Sequence, residues 1–234
     1  MMSKNILIIG ASSGIGEATA QNLINKGFNV YTASRNEAKV SAIKHFTWDA
    51  QNADNSVFSE LPDTLDGLVY CPGTINLKPF QRLSQDDFKN DFQINVLGAV
   101  SVIQAVLPKL KKSSSASVVL YSTVAVKIGM GFHASVAASK GAIEGLTRSL
   151  AAELAPNKIR VNCIAPSLTE TPLAKNLLSS DEKKEASNKR HPIGRFGQAS
   201  DIANMTSFLL SDEGSWMTGQ ILNIDGGMSS VKMM

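Results

Sequence analysis

Residues 10–16 carry the most informative chemical pattern in the chain, Gly-Ala-Ser-Ser-Gly-Ile-Gly, directly after an apolar run at 6–9. Glycines let the backbone approach an anion closely, and the first N–H groups and the dipole of a following helix stabilise its charge. The pattern predicts a strand, a tight turn and a helix that bind a pyrophosphate; the alternative is a merely structural glycine turn. The expected contacts are Gly10, Ser12, Ser13, Gly14, Ile15 and Gly16.

A basic residue stands where an NAD-binding protein usually has an acid. About 20 residues beyond the glycine turn, an acidic residue at the end of the second strand normally binds the ribose of NAD. Here the sequence has Ser34 and Arg35. A guanidinium can bind a ribose 2′-phosphate through forked, charge-assisted hydrogen bonds. The sequence therefore favours NADP over NAD, unless Arg35 is an ordinary surface residue.

Composition excludes several other classes of protein. The 234 residues are 43% hydrophobic and 18% charged, which is typical of a soluble globular protein and not of a disordered one. Cys71 and Cys163 are the two cysteines, and both lie in apolar runs, so we predict no disulfide scaffold, no metal site and a cytoplasmic location. The net charge of +3 is scattered, which predicts no nucleic-acid partner. No run approaches the roughly 20 apolar residues of a membrane span, so we predict no membrane segment and no signal peptide.

Short apolar runs alternate with longer helical patterns, which indicates βαβ units. These elements use the whole chain, so we predict one α/β domain over 1–234 with a doubly wound parallel sheet and helices on both faces. Ser84 and Ser200 are the predicted caps of two of the helices. The predicted strands are 6–9, 29–33, 45–48, 68–71, 118–121, 159–165 and 221–224, and the predicted helices are 15–26, 84–110, 135–154 and 199–210, with a poor one after Asn36.

The stretch 167–198 differs from the rest because it is polar and highly charged. It predicts a partly helical, mobile lid or substrate loop beside the carboxyl-terminal edge of the sheet. The alternative is a solvated insertion with no role in binding. The apolar run 217–222 would form an exposed sheet edge in a monomer, and pairing between copies would cover that edge.

Motifs from residue 5 to about 228 resemble those of the short-chain dehydrogenase/reductase family in its single-domain form. Within that family they are most similar to the motifs of β-ketoacyl-carrier-protein reductases. The resemblance implies a Rossmann-like seven-stranded sheet in the order 3-2-1-4-5-6-7. It also implies NAD(P)-dependent hydride transfer and usually a homotetramer; a homodimer is the other form we consider. The motifs are the glycine turn, Ile94-Asn95-Val96-Leu97-Gly98, Ala138-Ser139-Lys140, Arg160-Val161-Asn162, Gly194-Arg195-Phe196-Gly197 and Asp225-Gly226-Gly227.

The resemblance implies a catalytic Asn, a Ser, a Tyr and a Lys four residues after the Tyr. Asn95 and Lys140 match, and the Ser role falls to Thr123, with Ser122 as a less well aligned candidate. In the family the ammonium lowers the pKa of the phenol, which gives its proton to the carbonyl oxygen while hydride reaches the carbon. The position of the phenol is Val136, which has no proton to donate.

Two other side chains could replace the missing phenol. His133 lies three residues before Val136, and an imidazole suits proton donation at neutral pH. Tyr121 lies two residues before Thr123, so both side chains would point to one face of a strand. The alternative interpretations are a loop histidine and a packed aromatic ring.

The resemblance implies further contacts to the cofactor. Asp49 and Ala50 match residues that lie against the adenine, and Lys140 would also hold the nicotinamide ribose. After the sixth strand, residues 165–171 resemble the segment that grips the nicotinamide amide, with Ser167 in place of its glycine. The full set is Asp49, Ala50, Gly73, Lys140, Pro166, Thr169 and Thr171.

Two positions at which the sequence differs from the family pattern are related, because the family's residues there would form a hydrogen bond with each other. Ile9 replaces a Thr whose hydroxyl would meet a backbone N–H in the turn after the fourth strand, and Pro72 in that turn has no N–H. Losing both partners costs less than orphaning one of them. We expect that the fold and the nucleotide site are kept and that the hydrogen bonds are rearranged.

The sequence supports two functions. The first is an NADP-dependent reductase that acts on a small-molecule ketone or secondary alcohol and uses another proton donor. The second is a nucleotide-binding, catalytically poor subunit that assembles with or regulates an active partner. Lys140, Asn95 and Thr123 favour the first, because a structural subunit has little use for a buried ammonium; Val136 favours the second.

Overall fold

A seven-stranded parallel sheet between two layers of helices dominates the computed structural model, which describes residues 3–232. The strands are β1 (Asn5–Ile9), β2 (Asn29–Ser34), β3 (Lys44–Thr47), β4 (Gly67–Tyr70), β5 (Ala116–Tyr121), β6 (Ile159–Pro166), β7 (Thr169–Glu170), β8 (Gly197–Gln198) and β9 (Ile221–Ile224). The helices are α1 (Gly14–Asn25), α2 (Gln85–Phe92), α3 (Gly98–Leu110), α4 (Val124–Ile128), α5 (Ala134–Leu154), α6 (Asp181–Arg190) and α7 (Ala199–Leu210).

The strand order of the large sheet is β3-β2-β1-β4-β5-β6-β9, and β7 pairs separately with β8. This confirms the predicted doubly wound sheet. The order reverses beside β1, which pairs with β2 on one side and with β4 on the other. In such sheets a crevice opens at the carboxyl ends of the strands where the order reverses. The fold therefore places a binding crevice next to the glycine turn.

Each face of the sheet has its own apolar core. Successive side chains of a strand point to opposite faces, and in β1 this sends Leu7 and Ile9 into one core and Ile6 and Ile8 into the other. The first core includes residues of α3 and α5, and the second includes residues of α1 and α7. Burial on both faces explains why the strands are continuous apolar runs.

The helix that carries Asn95 is continuous from Gln85 to Leu110 and contains a π-helical segment, Gln93–Leu97, between α2 and α3. Ser84 caps it, and its hydroxyl and the Asp87 carboxylate bond reciprocally to backbone N–H groups, as the sequence predicted. By length and composition this helix could cross a bilayer, which the sequence analysis missed. Its buried face belongs to the core, and a core helix passes the same test.

Two local predictions were wrong. Residues 35–43 form bends and no helix, because the chain passes directly from β2 to the paired strand β3. Ser200 is not the cap of the last helix, because α7 begins one residue earlier. The cap is Gln198, whose backbone N–H donates to the Asp201 carboxylate at 2.8 Å. In the predicted lid, the structure places β7, a 3-10 helix at Pro172–Leu178, α6 and β8.

Candidate active site

The glycine turn has the geometry of an anion site. Gly10 and Gly14 adopt left-handed conformations, with φ of 83° and 61°. A Cβ atom on Gly16 would lie 2.2 Å from the carbonyl oxygen of Gly10, so that position needs a glycine. Ser13 is the N-cap of α1 and makes no capping bond with its side chain, which leaves the first N–H groups of the helix available. These features fit the pyrophosphate of a dinucleotide.

A cleft extends from this turn along the ends of β1, β2 and β4, and it contains most of the predicted cofactor residues. Ser34 and Arg35 lie at one end, and the Arg35 guanidinium is exposed and forms no ion pair within residues 3–232. Asp49 and Ala50 line the adjacent wall beside Trp48, which no motif had indicated. The cleft thus offers a cation at the end where the sequence predicts a ribose phosphate.

The turn after β4 is held to the neighbouring elements by backbone and side-chain hydrogen bonds. The backbone N–H of Cys71 donates to the Ile9 carbonyl at 3.0 Å. The Tyr70 hydroxyl donates to the carbonyl of Ile94, in the π-helical segment, at 2.6 Å. A Cβ atom on Gly98 would lie 2.2 Å from that hydroxyl, so a glycine is needed where the tyrosine packs.

A second, mainly apolar cavity adjoins the cleft and shares Gly73 and Thr171 with it. Val136 and Lys140 of α5 form part of its wall, and the segment after β6 forms the opposite part. Thr171 also lies against the glycine turn, because a Cβ atom on Gly14 would be 3.1 Å from its methyl group. Thr169 and Pro166 line the second cavity and not the cleft. No Asp or Glu of the described chain lines this cavity.

The Lys140 ammonium is buried where the two spaces meet. Its Nζ donates to the Tyr121 carbonyl at 2.9 Å, and the residue is 7% exposed. A Cβ atom on Gly73 would lie 3.4 Å from Nζ, so the bare glycine keeps the space beside the ammonium open. Burial lowers the pKa of Lys140 to about 8, although nearby Cys163, Cys71 and Asp91 act in the opposite direction. The ammonium can therefore lose its proton near neutral pH.

Asn95 lies beside the same glycine. Its Nδ2 donates to Ser139 Oγ at 2.9 Å and to Thr74 Oγ1 at 3.1 Å. Its Oδ1 is buried and accepts no hydrogen bond from residues 3–232, and a Cβ atom on Gly73 would lie 3.5 Å from it. A π-helical segment often marks a functional site. Here it places a free amide oxygen beside Gly73, the glycine that also adjoins the Lys140 ammonium.

The two predicted hydroxyl residues lie in different surroundings. Thr123 is the N-cap of α4, where its Oγ1 accepts from the Ala125 N–H at 3.3 Å, and it lines the second cavity. Ser122 Oγ donates to Glu144 Oε1 at 2.7 Å, so its proton is already engaged on α5. Thr123 is therefore the better placed hydroxyl.

The two predicted substitutes for the phenol, His133 and Tyr121, also differ in their surroundings. His133 lines the second cavity, and its Nδ1 donates to the Gly131 carbonyl at 2.7 Å. The Tyr121 hydroxyl is buried against Thr206 Oγ1 of α7 at 2.6 Å, and burial raises its pKa well above 10. Strand β5 ends at Tyr121, and Thr123 is the extended N-cap of α4; both residues line the second cavity.

Sequence reasoning missed two further residues of the site. Cys71 lines both the cleft and the second cavity, and burial raises the pKa of its thiol to about 12. His191, which is 2% exposed, also lines the second cavity. Cys71 lies in the predicted strand 68–71 and His191 in the predicted lid 167–198, but neither was assigned a role at the site. Residues 3–232 contain no group of three or more His, Cys, Asp or Glu arranged to hold a metal ion.

Comparison with known proteins identifies relatives over nearly the whole chain. A family model described as enoyl-(acyl carrier protein) reductase matches residues 10–229. A tropinone reductase homolog of Arabidopsis thaliana is 33% identical, with 98% of this chain and 94% of the relative aligned. The 3-oxoacyl-[acyl-carrier-protein] reductase FabG of Staphylococcus aureus is 32% identical, with 97% and 98% aligned.

Solved structures show the same fold. Ligand-free aldohexose dehydrogenase of Thermoplasma acidophilum is 27% identical and superposes with a TM-score of 0.91, covering 99% of this chain and 96% of that one. The 3-ketoacyl-(acyl-carrier-protein) reductase of Brucella melitensis, complexed with NADH, is 26% identical with a TM-score of 0.85, covering 97% and 98%. ElxO with NADP bound is 26% identical with a TM-score of 0.90, covering 98% and 100%.

Proposed function

Because this chain belongs to the short-chain dehydrogenase/reductase family of oxidoreductases, we propose that it transfers hydride between NADP(H) and a ketone or secondary alcohol. The observation that carries the proposal is the buried Lys140 ammonium at the junction of the dinucleotide cleft and an apolar cavity. The cleft takes the cofactor and the cavity takes the substrate. Relatives with NADH and with NADP bound support the class of cofactor.

The preference for NADP rests on Arg35. Its guanidinium lies in the cleft at the end of β2 and has no acidic partner among the residues that the structure describes, which suits a 2′-phosphate. The glycine turn and the start of α1 would hold the pyrophosphate, and Asp49 and Ala50 would lie against the adenine.

The chain's own residues supply the proton. When bound, the nicotinamide supplies the hydride that reaches the carbonyl carbon. Lys140 gives one proton from Nζ to the carbonyl oxygen and becomes neutral, and the oxygen becomes a hydroxyl. Because residue 136 is a valine, no phenol stands between the ammonium and the substrate cavity. The Thr123 hydroxyl donates a second hydrogen bond to the carbonyl oxygen of the substrate. In the oxidation direction neutral Lys140 accepts the proton.

NADPH consumption with a panel of ketones and acyl thioesters tests this function. We expect slow but measurable turnover, since the loss of a well-placed acid typically costs 10²–10⁴-fold. Val136→Tyr should raise kcat by about 10²-fold because a phenol would stand one helical turn before Lys140. Val136→Phe is the matched control, with the same ring and no hydroxyl, and should give no gain. No turnover by the wild type together with strong turnover by Val136→Tyr would favour the catalytically poor, nucleotide-binding subunit instead.

A further inference from the structure

Ser167 and His191 form a hydrogen-bonded pair in the wall of the second cavity. His191 Nε2 and Ser167 Oγ are 2.8 Å apart, and both residues line the cavity. The reaction proposed above uses neither of them. Ser167 also stands where the family's nicotinamide segment has a glycine, so its side chain is an addition to the cavity.

Three separate parts of the chain hold the imidazole of His191. Its Nδ1 lies 2.7 Å from the carbonyl oxygen of Ser187, in α6. The turn after β9 packs against its ring, since a Cβ atom on Gly226 would lie 3.6 Å from His191 Cδ2. Ser167, after β6, contacts its other nitrogen. A histidine that is 2% exposed and held from three sides has a fixed orientation.

The bond to Ser187 determines which nitrogen carries the proton. A carbonyl oxygen only accepts, so Nδ1 of His191 must be the donor. In the neutral ring Nε2 is then an acceptor, and the Ser167 hydroxyl must donate to it. The Ser167 proton therefore points towards His191 and away from the cavity. No other hydrogen bond to Ser167 Oγ occurs in the part of the chain that the structure describes.

We propose that Ser167, oriented by His191, presents a hydrogen-bond acceptor to the second cavity and selects substrates that carry a hydroxyl group in addition to the reacting carbonyl. The hydroxyl of such a hydroxyketone donates to Ser167 Oγ, while its apolar body packs on the remaining walls. A ketone or ether without that donor leaves the oxygen of Ser167 unpaired. A site built to bind a hydroxyl discriminates strongly against analogues that lack it.

This inference rests on the proposed function, because it assigns the second cavity to the substrate. Binding is therefore measured separately from turnover. Calorimetric titrations compare cyclohexane-1,2-diol, -1,3-diol and -1,4-diol with their dimethyl ethers, with and without saturating NADP. Each ether replaces both hydroxyl donors by methoxy groups, whose oxygens can still accept a hydrogen bond but cannot donate one to Ser167.

At least one diol should bind about tenfold more tightly than its ether, the effect of one hydrogen bond. Ser167→Gly and Ser167→Ala should reduce this ratio to about 1. His191→Leu should lower it too, because the Ser167 hydroxyl is then free to rotate and donate into the cavity. Ser179→Gly changes an exposed serine of the same segment and should keep the ratio. A merely structural role of the pair would change both affinities equally and leave the ratio unchanged.

Equal binding of every diol and its ether, or a preference that survives both Ser167 variants, would overturn the inference. Thermal melts of each variant establish that it is folded, and the two Ser167 substitutions check each other. Loss of all ketone turnover with the diol preference intact would overturn the proposed function and not this inference. Turnover of ketones without any diol preference would do the reverse.

Discussion

In the proposed reaction, the aliphatic side chain at Val136 leaves Lys140 as the proton donor. A phenol one helical turn before the lysine would be the donor, and the ammonium would only lower its pKa. With an aliphatic side chain there, the nearest ionisable group on α5 is the ammonium itself, which is buried and has a pKa of about 8. A lysine in that range is a competent acid at neutral pH. The substitution and the lowered pKa together make a slow reductase physically reasonable.

At the same scale, we expect Arg35 to favour NADP over NAD. Arg35→Ala should weaken NADP binding by about 10-fold to 100-fold, the value of charge-assisted hydrogen bonds of ~1.5–3 kcal/mol, and should leave NAD binding nearly unchanged. Fluorescence titration with NADPH and NADH measures both constants. Lys39→Ala, a nearby change outside the cleft, is the control. Equal weakening of both cofactors would show that Arg35 does not bind the 2′-phosphate.

At the scale of elements, the order of strands and helices followed from the sequence, because strands buried on both faces must be continuous apolar runs. The positions of the glycine turn and of Lys140 could also be predicted, because the turn joins the first strand to the first helix and Lys140 lies within one predicted helix. The pair of Ser167 and His191 could not be placed, because the two residues are 24 positions apart with β7, a 3-10 helix and α6 between them, and no periodic pattern links the two. The failed helix after Asn36 shows the same limit, since strand pairing there outweighs weak local preference.

A substitution of Gly16 tests whether the glycine turn binds the pyrophosphate. Gly16→Ala places a methyl group 2.2 Å from the Gly10 carbonyl oxygen, so the turn must shift away from its anion-binding geometry. We expect NADPH affinity to fall by about 10²-fold, which is roughly two lost charge-assisted bonds. Gly145→Ala, a helical glycine with nothing within 4 Å, should bind NADPH normally and be more stable by up to ~1 kcal/mol. Unchanged affinity in Gly16→Ala would mean that the cofactor does not use this turn.

At the scale of the molecule, the two spaces meet where the strand order reverses. Gly73 and Thr171 belong to both, so a dinucleotide and a substrate would touch beside Lys140. The segment between β6 and α7 forms one wall of the second cavity and reaches the glycine turn through Thr171. The topology of the sheet therefore places the proposed cofactor and substrate sites side by side, with Lys140 where they meet.

The sheet ends at β9, whose four residues are only half buried and whose outer edge has no partner strand in the described chain. Exposed edges favour pairing between chains, so we expect a homodimer or homotetramer. Light scattering at micromolar concentration should give two or four times the 25.0 kDa of the chain. Asn223→Lys places a charge on β9 at a position outside both apolar cores and should shift the mass towards the monomer. A monomeric wild type would contradict the prediction.

The pH dependence of ketone reduction tests the central claim, that Lys140 donates the proton. Single-turnover oxidation of bound NADPH is followed from pH 6 to 10. The rate should be constant below the pKa of Lys140 and fall about tenfold per pH unit above about 8, because the ammonium is lost there. Lys140→Arg should abolish this decline, since a guanidinium stays protonated over the whole range. A wild-type rate that does not fall between pH 8 and 10, or an unchanged profile in Lys140→Arg, would contradict the account.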